Sequence, residues 1–173
     1  ALLVPFVAAR SGMISDVIRT QNPVYFNSSW LSLPLPSNPV ILTVPGFLAA
    51  IVYFVGYLML LNERPFNILK AKIDVIEGGV LEYASKLRAG YYLMRNLLLF
   101  ALSSIFVTLF IGIPFDPFMP LCFALNMILS LVLPIAMAIL VAFSPILTFR
   151  QIYPATVGLS ALGVLALILS VSL

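Results

Sequence analysis

The chain has 173 residues, of which 62% are hydrophobic and only 9% charged, and its mean hydropathy is +1.15. Soluble domains carry about 25% charged residues, so this composition excludes an ordinary water-soluble fold and indicates an all-α, polytopic transmembrane protein. Nine Lys and Arg against six Asp and Glu give too small an excess for a nucleic-acid surface, and no basic patch with aromatic interleaving exists.

The first nine residues, ALLVPFVAA, are uncharged but too short to cross a bilayer, which takes about 20 residues. A secretory signal would place its basic residues before the apolar run, and here Arg10 follows it. Residues 1–9 therefore read as a partial span, and the chain as the C-terminal portion of a longer subunit. Residues 10–39 form a polar connection. Within it, Met13, Ile14, Val17 and Ile18 share one helical face, as in a short amphipathic helix at the interface. Tyr25, Phe26 and Trp30 then suit an aromatic belt, and LPLPSNP a turn.

Residues 40–61 form an uncharged run long enough to span. Further spans are expected at 97–115, 121–143 and 156–173, giving four complete spans plus the partial one. The third holds Cys122, the only cysteine in a chain without histidine. Those counts exclude His-ligated metal, an intrachain disulfide and a Cys-ligated Fe–S cluster. No P-loop or G-x-G-x-x-G is present; any redox cofactor nearby belongs to another chain. Pro134 is expected to kink its span. Tyr53, Tyr57, Ser103, Ser104, Thr108 and Asn126 read chiefly as hydrogen-bonding neighbours of adjacent helices, with a hydrated path as the alternative.

Charge is concentrated in residues 62–95, which hold Arg64, Lys70, Lys72, Lys86, Arg88 and Arg95 against Glu63, Asp74, Glu77 and Glu82. The positive-inside rule places this loop in the cytoplasm of a multi-pass cell-membrane protein, and Arg150 in the 144–155 connection agrees. Lys70 and Asp74 lie one helical turn apart, as do Glu82 and Lys86, with a break expected at Gly78-Gly79. Arg88, Tyr91, Tyr92 and Arg95 form a basic–aromatic stripe approaching the next span. Ile68, Leu69, Ile73, Val75, Ile76, Val80 and Leu81 interleave with the charges. A free solvated loop has no need of them; a loop folded into a crevice or under another subunit does. Carboxylates partly desolvated there would titrate closer to physiological pH, as a proton relay requires.

Arg64-Pro65-Phe66-Asn67-Ile68, Ala71, Asp74, Gly78, Glu82-Tyr83 and Ser85 resemble the cytoplasmic loop of the respiratory complex I subunit 1 (H-subunit) family, R-x-P-F-D-L-x-E-A-E-x-E-L-x-x-G-x-x-x-E-Y-S-G. Ile14 to Ile18 with Gln21 resemble the family's preceding amphipathic segment, and Phe149-Arg150-Gln151 its last cytoplasmic turn. Two family glutamates fall here on Lys70 and Lys72, and an aspartate on Asn67. With Glu77-Gly78 and Val80-Leu81-Glu82-Tyr83, these departures make the chain most similar to the membrane anchor of archaeal-type membrane-bound [NiFe] hydrogenases or related sulfur-reducing complexes.

The resemblance implies a subunit that is non-catalytic by itself. It would anchor a peripheral Fe–S arm bearing a [NiFe] or similar centre and couple electron transfer to proton or sodium translocation. Its partners would be membrane lipid, the Fe–S and hydrogenase-like subunits, and antiporter-like membrane subunits. Asp74, Glu77, Glu82, Lys70, Lys72 and Glu63 are the relay candidates; Arg64, Pro65, Phe66, Tyr83 and Arg88 are the arm-docking candidates. A secondary transporter is the rival from another class, but it would show an internal repeat and charge in its spans, and the four expected spans carry none. A purely structural anchor is the other rival.

Overall fold

The computed structural model describes residues 1–23, 36–61, 66, 85–144 and 149–172, the side chains of 85–88 and 149–151 excepted. Every regular element among them is helical, with no strand. In chain order these are α1 (Leu3–Ala8), α2 (Ile14–Gln21), a 3₁₀ turn (Val40–Leu42), α3 (Val44–Leu60), α4 (Ser85–Phe106), a π-helical turn (Val107–Ile111), α5 (Pro120–Ser130), α6 (Val132–Phe143) and α7 (Phe149–Ser172).

Three helices among the described residues are long and apolar enough to cross a membrane: Ala89–Ile111, Pro120–Phe143 and Ile152–Ser172. The run at 40–61, expected to be a full span, instead splits. Pro39 and Pro45 flank a 3₁₀ turn, and the α-helix that follows is 17 residues long, about 25 Å at 1.5 Å per residue. Thr43 begins that helix, its Oγ1 accepting from the Gly46 amide at 3.1 Å and donating to the Val40 carbonyl at 2.7 Å. The crossing expected at 97–115 starts earlier in sequence and ends at Ile111, so Arg95 lies inside it. Spans free of charge therefore cannot be held against a transporter.

The crossing at 120–143 is interrupted at Leu131. Pro134 has no amide hydrogen and its ring crowds the carbonyl of residue 130. The interruption falls one turn before the proline, as the sequence leads one to expect. A second proline, Pro154, sits in the opening turns of α7.

Packing follows the small residues. The most extensive contact joins α7 to α3, where Gly163 faces Val52 and Ala49, Ala50 and Ala166 are buried. Small side chains let two backbones approach closely where lipid supplies no hydrophobic drive for association. Helix α1 sits against the same pair, with Val4 fully buried. Its end is closed by Arg10 at φ 51°, with Arg10 N–H bonded to Val7 O and Ser11 N–H to Phe6 O, a Schellman cap with arginine in the place glycine usually takes. Ser11 Oγ then donates to Asp16 at 2.6 Å, tying that cap to the first turn of α2. The opposite faces of α6 and α7 are exposed and apolar, with Ile135, Ile139, Val164 and Ile168 outward, as lipid or a neighbouring subunit requires.

Candidate functional site

Two constructions on α4 stand out, one at its C-terminal end and one along its face toward α3. At its C-terminal end the α-helix widens into the π turn and stops at Gly112, φ +84°. A widened turn and an abrupt stop leave carbonyls without helical donors, which is costly inside an apolar bundle. Three carboxamides meet that need. Gln21 Nε2 donates to Leu109 O at 2.7 Å, Asn22 Nδ2 to Gly112 O at 3.4 Å, and Asn126 Nδ2 to Ile113 O at 2.6 Å. All three side chains are buried.

Gln21 does more. Its Oε1 accepts from the Val40 amide at 3.2 Å, and its own carbonyl accepts from the Ser37 and Asn38 amides. It therefore joins the end of α2, the 3₁₀ turn and the π turn. A Cβ on Gly112 would lie 2.7 Å from that of Gln21, so the left-handed conformation and the close approach both select glycine there. Asn126 is the second hub. Its Oδ1 accepts from Ser104 at 2.8 Å and Ser130 at 3.2 Å, while Nδ2 also reaches Thr108 Oγ1 at 3.3 Å. Beyond the π turn the chain folds back beside α4, with Phe115 packed on Phe100 and Phe123 at centroid distances of 6.1 and 4.6 Å.

Along its face toward α3, long side chains join the two helices. Tyr53 donates to Leu102 O at 2.8 Å, and Tyr57 pairs with Ser103 Oγ at 3.3 Å. Arg95 donates to Leu61 O at 3.3 Å, so a cation meets the negative end of the α3 dipole. Below the tyrosines, Tyr53, Phe106 and Phe110 form an aromatic wedge, the two phenylalanines stacked at 4.9 Å. Leu61 and Ser85 bracket the charged loop, and of these bonds the one from Arg95 to Leu61 sits at its stem.

Tyr53, Tyr57, Ser103, Ser104, Thr108 and Asn126 all hydrogen-bond to neighbouring helices or to their own helix. Among the described residues no buried side-chain nitrogen or oxygen lacks a partner, which favours the bonding role over a hydrated path. Sequence reasoning missed Asn22, Ser130 and the bond made by Arg95, and met Gln21 only through resemblance. The available signal was Gln21-Asn22-Pro23 closing an amphipathic helix, where two amides in an apolar setting need partners.

Of the expected site residues, Glu63, Arg64, Pro65, Lys70, Lys72, Asp74, Glu77, Glu82 and Tyr83 lie outside the described residues, as does the Gly78-Gly79 break. Phe66 is described and partly buried; Arg88 falls in α4 with its side chain outside the description. Among the described residues no three His, Cys, Asp or Glu gather as metal ligands.

A family model described as NADH dehydrogenase matches residues 1–172. An uncharacterized protein of Methanocaldococcus jannaschii is 34% identical over 168 residues, 97% of this chain and 47% of that one. The NADH-quinone oxidoreductase H-subunit of Burkholderia vietnamiensis is 25% identical over 118 residues, 65% of this chain and 30% of that one. NADH-ubiquinone oxidoreductase chain 1 of Squalus acanthias is 29% identical over 86 residues, 50% of this chain and 26% of that one. The chain thus spans less than half the length of these relatives. No solved structure matches it significantly.

Proposed function

The chain belongs to the NADH dehydrogenase family, that of complex I subunit 1 and its bacterial H-subunit counterparts, and on that premise we propose that it is a membrane subunit of a complex I-like oxidoreductase. Within that complex it anchors a peripheral Fe–S arm and couples electron transfer to proton or sodium movement through neighbouring antiporter-like subunits. The observation that carries the reading is the family match over residues 1–172, together with a loop that gathers four of the chain's six acids.

The mechanism has a physical route. Residues 62–84 connect α3 to α4; Arg95 on Leu61 ties the two helices beside that connection, and the two tyrosine bonds tie them farther along. A loop rooted in two bonded helices transmits a change in charge or position to them; a loose tether does not. Reduction of an Fe–S cluster held by the arm would add negative charge near the loop. Asp74, Glu77 or Glu82 would then take up a proton, with Lys70 and Lys72 as nearby cations. Lysines at 70 and 72 and asparagine at 67, where the family's loop pattern is acidic, support our reading of the chain as a hydrogenase-like or sulfur-reducing member of the family. The loop faces the cytoplasm in this scheme, on the strength of its six bases.

Purification from native membrane tests the assignment: Fe–S subunits should accompany the chain. Recovery as a lone homo-oligomer would favour a transporter instead.

A further inference from the structure

The first turn of α1 lies well inside the bundle. Leu2 and Leu3 share a groove of about 390 Å³ with α3 and with Leu102 of α4. Leu102 falls near the middle of the crossing Ala89–Ile111, which sets that turn at mid-depth. It has no side-chain cap, and the opening amides of a helix have no acceptor within the helix itself. Hydrocarbon offers none either, so at this depth the acceptors must come from protein.

The α3 wall of the groove has the form of a helix seat. Val52, Gly56 and Leu60 repeat every four residues along it, a face about 12 Å long at 1.5 Å per residue. Tyr53 and Tyr57 flank that row, and their hydroxyls turn to Leu102 O and Ser103 Oγ of α4. The groove is thereby left apolar. At Gly56 a Cβ would meet nothing within 4 Å, so another backbone can approach α3 closely there. Helix α1 already packs against α3, and the groove runs on from its first turn.

We propose that the groove seats a further apolar helix of the same subunit, from outside these 173 residues. The chain spans less than half the length of its relatives, and those proteins hold sequence enough for such a helix. A helical segment in line with α1 meets both conditions at once. Its carbonyls accept from the opening amides of α1, and its side chains cover the row from Val52 to Leu60. An acyl chain would fill the groove but carries no acceptor along its length. The proposal rests on membrane insertion alone and not on the redox reading, so either can fail without the other.

The test uses the full-length subunit in its native membrane. A benzophenone amino acid replaces Leu60, an exposed position, and the products of photoactivation are read by mass spectrometry. The expected product joins residue 60 to a peptide of the same subunit outside residues 1–173. Gly56→Leu gives a second reading whose sign separates the cases. Glycine within a helix is destabilising, so a leucine facing lipid should raise the melting temperature. Under a seated helix it should lower the melting temperature and abolish the crosslink from residue 60. The probe at residue 60 needs no change at Gly56, so it decides the matter even where the leucine variant does not assemble. Crosslinks to lipid alone, to another subunit, or only within residues 1–173 would overturn the proposal. So would a raised melting temperature in Gly56→Leu.

Discussion

The two ends of α4 solve opposite problems with different residues. Around Gly112 the chain breaks a helix inside an apolar bundle and satisfies the freed carbonyls with neutral carboxamides from α2 and α5. These bonds, and those of Gln21 to Val40 and of Asn126 to Ser104, Thr108 and Ser130, join neutral groups among the described residues. Toward the start of α4, the Arg95 guanidinium reaches the Leu61 carbonyl at the end of α3 beside a segment dense in charge. The first arrangement is closed, with carbonyls and amides answering one another. The second is open, with Leu60, Tyr91, Met94 and Leu98 exposed beside it. A closed, neutral polar cluster fixes geometry. An open, charged one can respond to a partner.

Changes at the closed end should therefore act on stability. Asn126→Leu should have the largest effect. It removes a hub with four hydrogen bonds and leaves Ile113 O without its donor, a loss of about 2–4 kcal/mol, read from denaturant-induced unfolding in mixed micelles. Gly112→Ala comes next, at about 1–3 kcal/mol. It forces a side chain into a left-handed conformation against Gln21, and a melting temperature within a degree of wild type would mean the close approach is absent in solution.

The six polar residues expected to bond between helices in the spans show how far the sequence reaches. Asn126, Tyr53 and Tyr57 are legible because a polar side chain in an apolar run must find a partner, whatever the fold. The π turn is not. Its widening arises where α2, the 3₁₀ turn and α5 converge, and no local pattern in VTLFIG announces that meeting. Span boundaries differ from expectation for a related reason. Apolar runs mark where a chain tolerates lipid, whereas helix ends are set by caps and prolines, as at Thr43 and Pro120. Arg95 reads as a loop residue when charge is taken to end a span, yet a long side chain lets a helix keep its arginine and deliver the charge to the edge. The proposed relay is legible in sequence alone, since its carboxylates fall outside the described residues.

Changes between α3 and α4 should be mild in stability and visible in function. Tyr57→Phe together with Tyr53→Phe removes both tyrosine hydrogen bonds between α3 and α4 and should cost about 1 kcal/mol in unfolding. If the α3–α4 pair transmits loop movement, the same double variant should lower the ions moved per electron more than it lowers electron transfer. Equal loss of both would assign the tyrosines to packing alone. The smallest expected effect is Ser11→Ala, which removes the hydroxyl joining the α1 cap to Asp16 and should cost about 0.5–1 kcal/mol without altering ion coupling.

Coupling in this scheme depends on the loop carboxylates. Ion uptake per electron should be measured in membrane vesicles carrying the native complex with Glu82→Gln or Asp74→Asn. The complex should assemble and pass electrons while ion uptake per electron drops in at least one variant. A ratio indistinguishable from wild type in both, with assembly intact, would contradict the coupling role and leave the loop as a dock for the arm and nothing more.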